Sequence, residues 1–181
     1  TLLGRGDRLG EAEAGERAQL RRHFQLVPDG WPMAAITRAF DAGDAREGNW
    51  LRADPAHVRV EAAGARPHAI GNLGLAREEA DEFLQLLRPV FGDAGMVLDA
   101  PTPERWYLAL PEGSPLPSFA DPADALGGDL FSLLPSGPEG RRWRALFNEA
   151  QVLLHQHPRN RSRIASGLLP VNAVWPWGGG V

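Results

Sequence analysis

The side chains best suited to chemistry crowd into one stretch, His157 to Gly180, which reads HPRNRSRIASGLLPVNAVWPWGGG. His157, Asn160, Arg163 and Asn172 place an imidazole, a guanidinium and two carboxamides around a short apolar segment that carries Trp175 and Trp177. A corner that faces a ligand or a second domain is built in this way. A guanidinium offers a planar fork of donors matched to carboxylate and phosphate, so the ligand class that suits such a corner is a small anion. Each residue also has an ordinary structural use. His157 stands at a helix end, where it can satisfy the last carbonyls and where the helix dipole favours an imidazolium. Asn160 and Asn172 can hydrogen-bond loop backbone. Trp175 and Trp177, two apart on one strand face, suit a core or an interface with another domain or copy better than ligand stacking.

Other chemistries find little support. A two-metal site for phosphorus chemistry needs clustered Asp and His from several loops. His155 and His157 are i and i+2 on a helix and cannot ligate one metal together. The chain has no Cys, which removes disulfides, thiolate nucleophiles and Cys-based zinc sites. No Gly-x-Ser-x-Gly elbow is present, and the run Gly178–Gly180 lacks the Lys of a phosphate-binding Walker loop. No catalytic residue, metal ligand or cofactor is therefore expected from the sequence.

The elements that must position these groups are legible from their patterns. A short polar surface helix is expected over Glu11–Phe24, and a second begins at Trp31–Pro32 and ends at Gly43, because Pro fits a first turn and Met33, Ile36 and Phe40 recur at helical spacing. Trp50–Glu61 reads as a half-buried strand with Val58 and Val60 inward, and His68–Leu73 as a second. Ala80, Phe83, Leu84, Leu87 and Phe91 fall on one face of a helix over Ala76–Phe91. Met96–Asp99 and Arg105–Leu110 form adjacent strands around the turn PTPE, and Asp121 can cap a short helix. Ser136 and Glu139 have capping-box spacing ahead of a long helix whose stripe of Leu146, Phe147, Ala150, Leu153 and Leu154 runs to His157. This order gives an α+β fold: a mixed sheet with helices mainly on one face.

At 181 residues and 43% hydrophobic, the chain is expected to form a single domain with its own core. No apolar run is long enough for a membrane span, and the first residues lack a signal-peptide pattern, so a cytoplasmic protein is expected. All basic residues are Arg, as a GC-rich genome produces. A net charge of −4 argues against nucleic acid as a partner, despite local clusters at Arg141, Arg142 and Arg144 and at Arg159, Arg161 and Arg163. The tripeptide Arg5-Gly6-Asp7 is a chance match.

The order His157-Pro-x-Asn160, then Arg163, then Gly167-x-x-Pro170-x-Asn172-x-x-Trp175-x-Trp177-Gly178 resembles the segment that closes the inserted domain of archaeal-type cofactor-independent phosphoglycerate mutases, members of the alkaline-phosphatase-like superfamily. Trp50-Leu-Arg-Ala-Asp54, Arg105 with Trp106–Leu110, and Asp124–Gly137 ending in Leu-Pro-x-Gly are similar to further family segments in the same order, so the likeness spans Trp50–Gly180. The motifs WLRADP, PERWYL, FNEAQ and LPVN-x-W-x-WGGG also resemble the RpfE-type regulatory proteins of proteobacteria. The resemblance implies a helical part at 1–48 followed by an insertion-like part at 49–181. It brings Arg52, Arg105 and Arg163 near one another, as contacts for a phosphorylated carboxylic acid. It also places the family's metal ligands in Asp-Gly and Asp-x-His segments outside the inserted domain. Two departures bear on ligand binding: Asp54 stands where the family has Asn, and Trp106 where it has His. The resemblance therefore leads to two expectations. One is a non-catalytic regulatory or binding module with an anionic ligand, a protein partner or a second copy as partner. The other is part of a metal-dependent mutase-like enzyme.

Overall fold

Residues 32–62 and 64–180 are described by a computed structural model, and the helix expected at 11–24 lies outside them. Helix α1, Met33–Asp41, follows Pro32 directly. The central strand β1, Asn49–Glu61, pairs antiparallel with β2, Gly64–Ile70. Helix α2, Arg77–Asp93, leads to the hairpin of β3, Val97–Thr102, and β4, Arg105–Leu110. Two single-turn helices follow, α3 at Pro122–Ala125 and α4 at Leu130–Leu133. The long α5, Gly137–Gln156, passes into α6, Pro158–Ala165, and the chain returns through β5, Ala173–Trp177.

The α+β class holds, but the sheet is not mixed: every described ladder is antiparallel. β2 and β4 each return along β1, and β5 comes back beside it, so no parallel crossover joins neighbours. Arg52 has Cα partners in both β4 and β5, and Ala56 in both β2 and β5. β5 therefore holds one edge of β1 while β4 and β2 lie in tandem along the other. The tandem arrangement leaves a break in the pairing beside residues 53–55.

Alternation along the strands sorts their side chains. Leu51, Ala53, Trp106, Leu108 and Leu110 join Phe83, Leu87 and Phe91 of α2 and Trp143, Ala150 and Leu154 of α5 in the main core. Trp50 and Tyr107 face the opposite way and pack on Ala34 of α1. Trp106, Tyr107 and Leu108 are consequently all fully buried, since both faces of the sheet are covered here. The alternation expected at Val58 and Val60 ends at Val58, and Val60 is 81% exposed near the end of β1.

Two local expectations need correction. β2 begins at Gly64 and stops at Ile70, not Leu73, because Gly71 and Asn72 both adopt the left-handed conformation at φ 59°, which ends extended pairing. Ser136 does precede the long helix, but its side chain makes no capping hydrogen bond. The chain is anchored there differently. Arg144 donates to the Pro135 carbonyl, which lies so close to Gly140 that a Cβ there would sit 2.3 Å from the oxygen. None of the helices is long and apolar enough to cross a membrane among the described residues.

Candidate functional site

Strand register aligns three residues across the sheet: Tyr107 of β4, Arg52 of β1 and Trp177 of β5. The Arg52 guanidinium lies 5.3 Å from the Tyr107 ring and 5.1 Å from the Trp177 ring, a cation held between two π-faces. Asp54, two residues along and on the same face, takes most of its donors. Arg52 Nε donates to Oδ1 at 2.9 Å, and Nη2 donates to both carboxylate oxygens at 2.8 Å. Nη1 reaches Thr37 Oγ1 of α1 at 3.2 Å. Asp54 also accepts from the Trp177 indole N–H at 2.7 Å and, at 3.4 Å, from the Trp106 backbone N–H. Arg52 is 5% exposed and Asp54 2%. Burial pushes the Asp54 carboxyl upward, and the Arg52 charge together with the two N–H donors pulls it back.

A cleft of about 720 Å³ opens beside this pair, where β2 ends and β4 begins. Its walls include the turn from Ile70 to Asn72, the segment Thr102–Arg105, Asp121–Ala123 and Trp177. Arg105 stands in its wall with its side chain 46% exposed. The Arg105 guanidinium is anchored on the Asp41 carboxylate through Nε at 2.7 Å and through Nη2, and the Tyr107 hydroxyl donates to the same carboxylate. Burial works against ionisation of Asp41, but the Arg105 and Tyr107 hydrogen bonds hold it below the ordinary carboxylate range. The described lining carries Arg52 and Arg105 together with Asp54, Glu104 and Asp121. Glu104 accepts from the Leu75 N–H, and Asp121 caps α3 by accepting from the Ala123 N–H, as expected.

The four polar candidates of the closing stretch serve the scaffold. His157 ends α5 but caps α6, accepting the Arg159 N–H at Nδ1 and packing 4.9 Å from the Phe83 ring. Burial lowers its pKa. Asn160 donates from Nδ2 to the Leu154 and Val171 carbonyls and accepts the Val171 N–H, each at 2.7 or 2.8 Å. Asn172 imitates a strand partner, exchanging two 2.8 Å hydrogen bonds with the Val58 backbone. Arg163 is 1% exposed and donates to the Leu169 carbonyl, the Leu73 carbonyl and Glu79. Arg163 is thus absent from the cleft lining, contrary to the expected trio, and Arg52 and Arg105 share the cleft without it. Through the Leu73 carbonyl, Arg163 anchors the turn that forms one cleft wall.

The two indoles differ in setting. Trp175 is 5% exposed, packs with Ala56 and Ala125, and donates to the Ala120 carbonyl at 2.9 Å. Trp177 is half-buried and lines the cleft. Asp41 has no signature in the sequence, since its role depends on Arg105 sixty-four residues away. No local pattern signals a contact of that span. Among the described residues, no group of three or more His, Asp or Glu side chains could hold a metal ion.

No family model matches the chain. It is 26% identical over 113 residues to a probable 2,3-bisphosphoglycerate-independent phosphoglycerate mutase of Geobacter sulfurreducens, a match covering 62% of this chain and 28% of the relative. It is 37% identical over 59 residues, 33% of this chain and 15% of the relative, to the 2,3-bisphosphoglycerate-independent phosphoglycerate mutase of Methanothrix thermoacetophila. Its fold is similar to that of a cofactor-independent phosphoglycerate mutase from Thermoplasma acidophilum, with a TM-score of 0.51 and 21% identity, covering 72% of this chain and 36% of the other. The chain is therefore related to part of the cofactor-independent phosphoglycerate mutases and spans well under half the length of these relatives.

Proposed function

We propose that this domain is a binding or regulatory module related to the mutases that performs no phosphoryl transfer through its own residues. The observation that carries this reading is the closed Arg52–Asp54 pair. In a buried setting, a guanidinium whose donors are already taken by a carboxylate offers little to a second anion, and the added carboxylates of the cleft repel one. Asp54, standing where the resemblance leads one to expect Asn, converts a potential anion contact into an internal ion pair. Trp177 and Tyr107 then stiffen that pair. A domain of this kind acts through what it docks with or presents, whether a protein partner or a second copy. A regulatory role of the kind that the RpfE-type resemblance implies is part of the same reading.

One feature of the cleft favours the alternative, that the domain supplies a phosphate contact to a larger metal-dependent enzyme. Arg105 stands in the cleft wall with its side chain nearly half exposed, and its Asp41 anchor leaves Nη1 without a protein acceptor among the described residues. Binding of the substrate separates the two readings. By calorimetric titration the purified chain should bind 3-phosphoglycerate weakly if at all, and it should show no mutase or phosphatase activity with Mn²⁺. Saturable binding that is lost on Arg105→Ala would favour the phosphate-contact reading instead.

A further inference from the structure

A second cavity, whose lining is distinct from that of the Arg52 cleft though the two adjoin along β5, lies where α4 and α5 pass over the end of the sheet, and it encloses about 310 Å³. Its walls carry four aromatic side chains, Phe119, Phe131, Phe147 and Trp175. Phe119 and Phe147 are held in place by edge and tilted contacts with Trp143 at 5.2 and 5.8 Å, so that wall is preformed. At the mouth the apolar surface is uncovered: Phe131 is 71% exposed and Val60, which also lines the cavity, is 81% exposed. A concave, largely apolar cavity with a few polar groups converging on it is the form that small-molecule sites take.

Among the described residues, polar side chains reach this cavity from α5. Arg144, Asn148 and Gln151 follow one another at i, i+4 and i+7 along α5 and all line it, so they form a single stripe. Arg144 Nη1 donates to the Pro135 carbonyl, which fixes the guanidinium at the rim. Its other N–H groups, and the carboxamides of Asn148 and Gln151, meet no protein partner among the described residues. Among the described lining residues the charge is a lone cation, with no carboxylate in the wall. That contrasts with the Arg52 cleft, where every cation is matched.

We infer that this cavity binds a small aromatic acid, its ring between the Phe and Trp walls and its carboxylate on Arg144, Asn148 and Gln151. At about 310 Å³ the cavity is at the small end of ligand sites, which suits a single ring with a short acid chain. Aromatic walls favour a ring over an aliphatic chain through edge-to-face and offset contacts. The lone guanidinium, flanked by two free carboxamides, selects an anionic head.

Calorimetric titration of the full chain with 3-phenylpropanoate tests the inference. One saturable site per chain is expected, with octanoate and the neutral 3-phenylpropanamide each binding at least about tenfold more weakly, the amide because it loses a charge-assisted hydrogen bond. Asn148→Asp places a carboxylate beside the proposed acid on an exposed position without a structural partner. It should weaken binding by a similar factor at unchanged melting temperature. Absence of saturable binding, tighter binding of octanoate than of the aromatic acid, or unchanged affinity in Asn148→Asp would overturn the assignment.

Discussion

The cleft beside Arg52 and the closing corner around Arg163 are built from the same residue types, and the two differ in where the donors end. Arg163 spends its guanidinium on two backbone carbonyls and on Glu79, and ties α6, the turn after β2 and the start of α2 into one unit. Arg52 spends its own mostly on a carboxylate of the same strand and stands sandwiched between two aromatic rings at the edge of an open cleft. The corner is a scaffold whose polar groups are consumed in closing it. The cleft is a site-like surface whose principal cation has been neutralised. Polar side chains crowded into a short stretch are thus no guide to a ligand until their acceptors are counted.

The largest expected effect tests the corner. Arg163→Ala takes the guanidinium from Glu79, from the buried Leu73 carbonyl and from the part-buried Leu169 carbonyl, and the chain should lose about 3 kcal/mol or more in urea unfolding. A loss below about 1 kcal/mol would mean that the corner does not depend on this residue. Asn160→Ala removes three buried hydrogen bonds and should cost about 2 kcal/mol or more by the same measurement. The cleft should respond more weakly. Arg105→Ala removes the exposed half of a pair whose Asp41 side chain is buried but keeps the Tyr107 hydroxyl as donor, and should cost about 1–2 kcal/mol; a cost as large as that of Arg163 would erase the contrast between the two regions.

Acid should weaken the corner. Burial lowers the pKa of both His157 and His57, so the unfolded chain binds protons first as pH falls below about 6.5. Stability is then complete at neutral pH and declines on acidification towards the folded values. His157→Asn keeps an acceptor for the Arg159 N–H, since Asn is a good N-cap, and should flatten part of the decline in melting temperature between pH 7.5 and 5. An identical pH profile would show that His157 does not contribute. Ser136→Ala should have the smallest effect, within about 0.5 kcal/mol, because the Ser136 side chain caps nothing.

Much of the fold is legible in the sequence where one physical signal acts alone. Ala80, Phe83, Leu84, Leu87 and Phe91 repeat at helical spacing, and α2 buries all of them. The alternation of β4 also reads correctly, although it conceals that Tyr107 is as buried as its neighbours: only the packing of α1 on the far face reveals that. Competing local chemistry explains the misses. Gly71 and Asn72 carry a turn signal and turn left-handed, but they stand between Ile70 and Leu73, whose apolar character extends the strand pattern past its true end. Ser136 has capping-box spacing, but Pro135, Gly140 and Arg144 have already organised that end of the helix. In the cleft, Arg52 and Asp54 two apart on a strand must share a face, and their pairing follows from the sequence once the strand is recognised. The Asp41–Arg105 pair, and the separation of Arg163 from both, depend on how α1 and α6 dock and have no local signature.

The closed Arg52–Asp54 pair is the central claim, and anion affinity before and after opening it is the most direct test. Calorimetric titration of 3-phosphoglycerate at low salt should detect little binding to the unaltered chain. Asp54→Asn, which retains an oxygen acceptor for Arg52 while removing the competing charge, should bind at least about tenfold more tightly, as a freed guanidinium gains a charge-assisted hydrogen bond, with circular dichroism confirming that the variant is folded. Equal affinity in the two folded proteins, or tight binding already in the unaltered chain, would contradict the account.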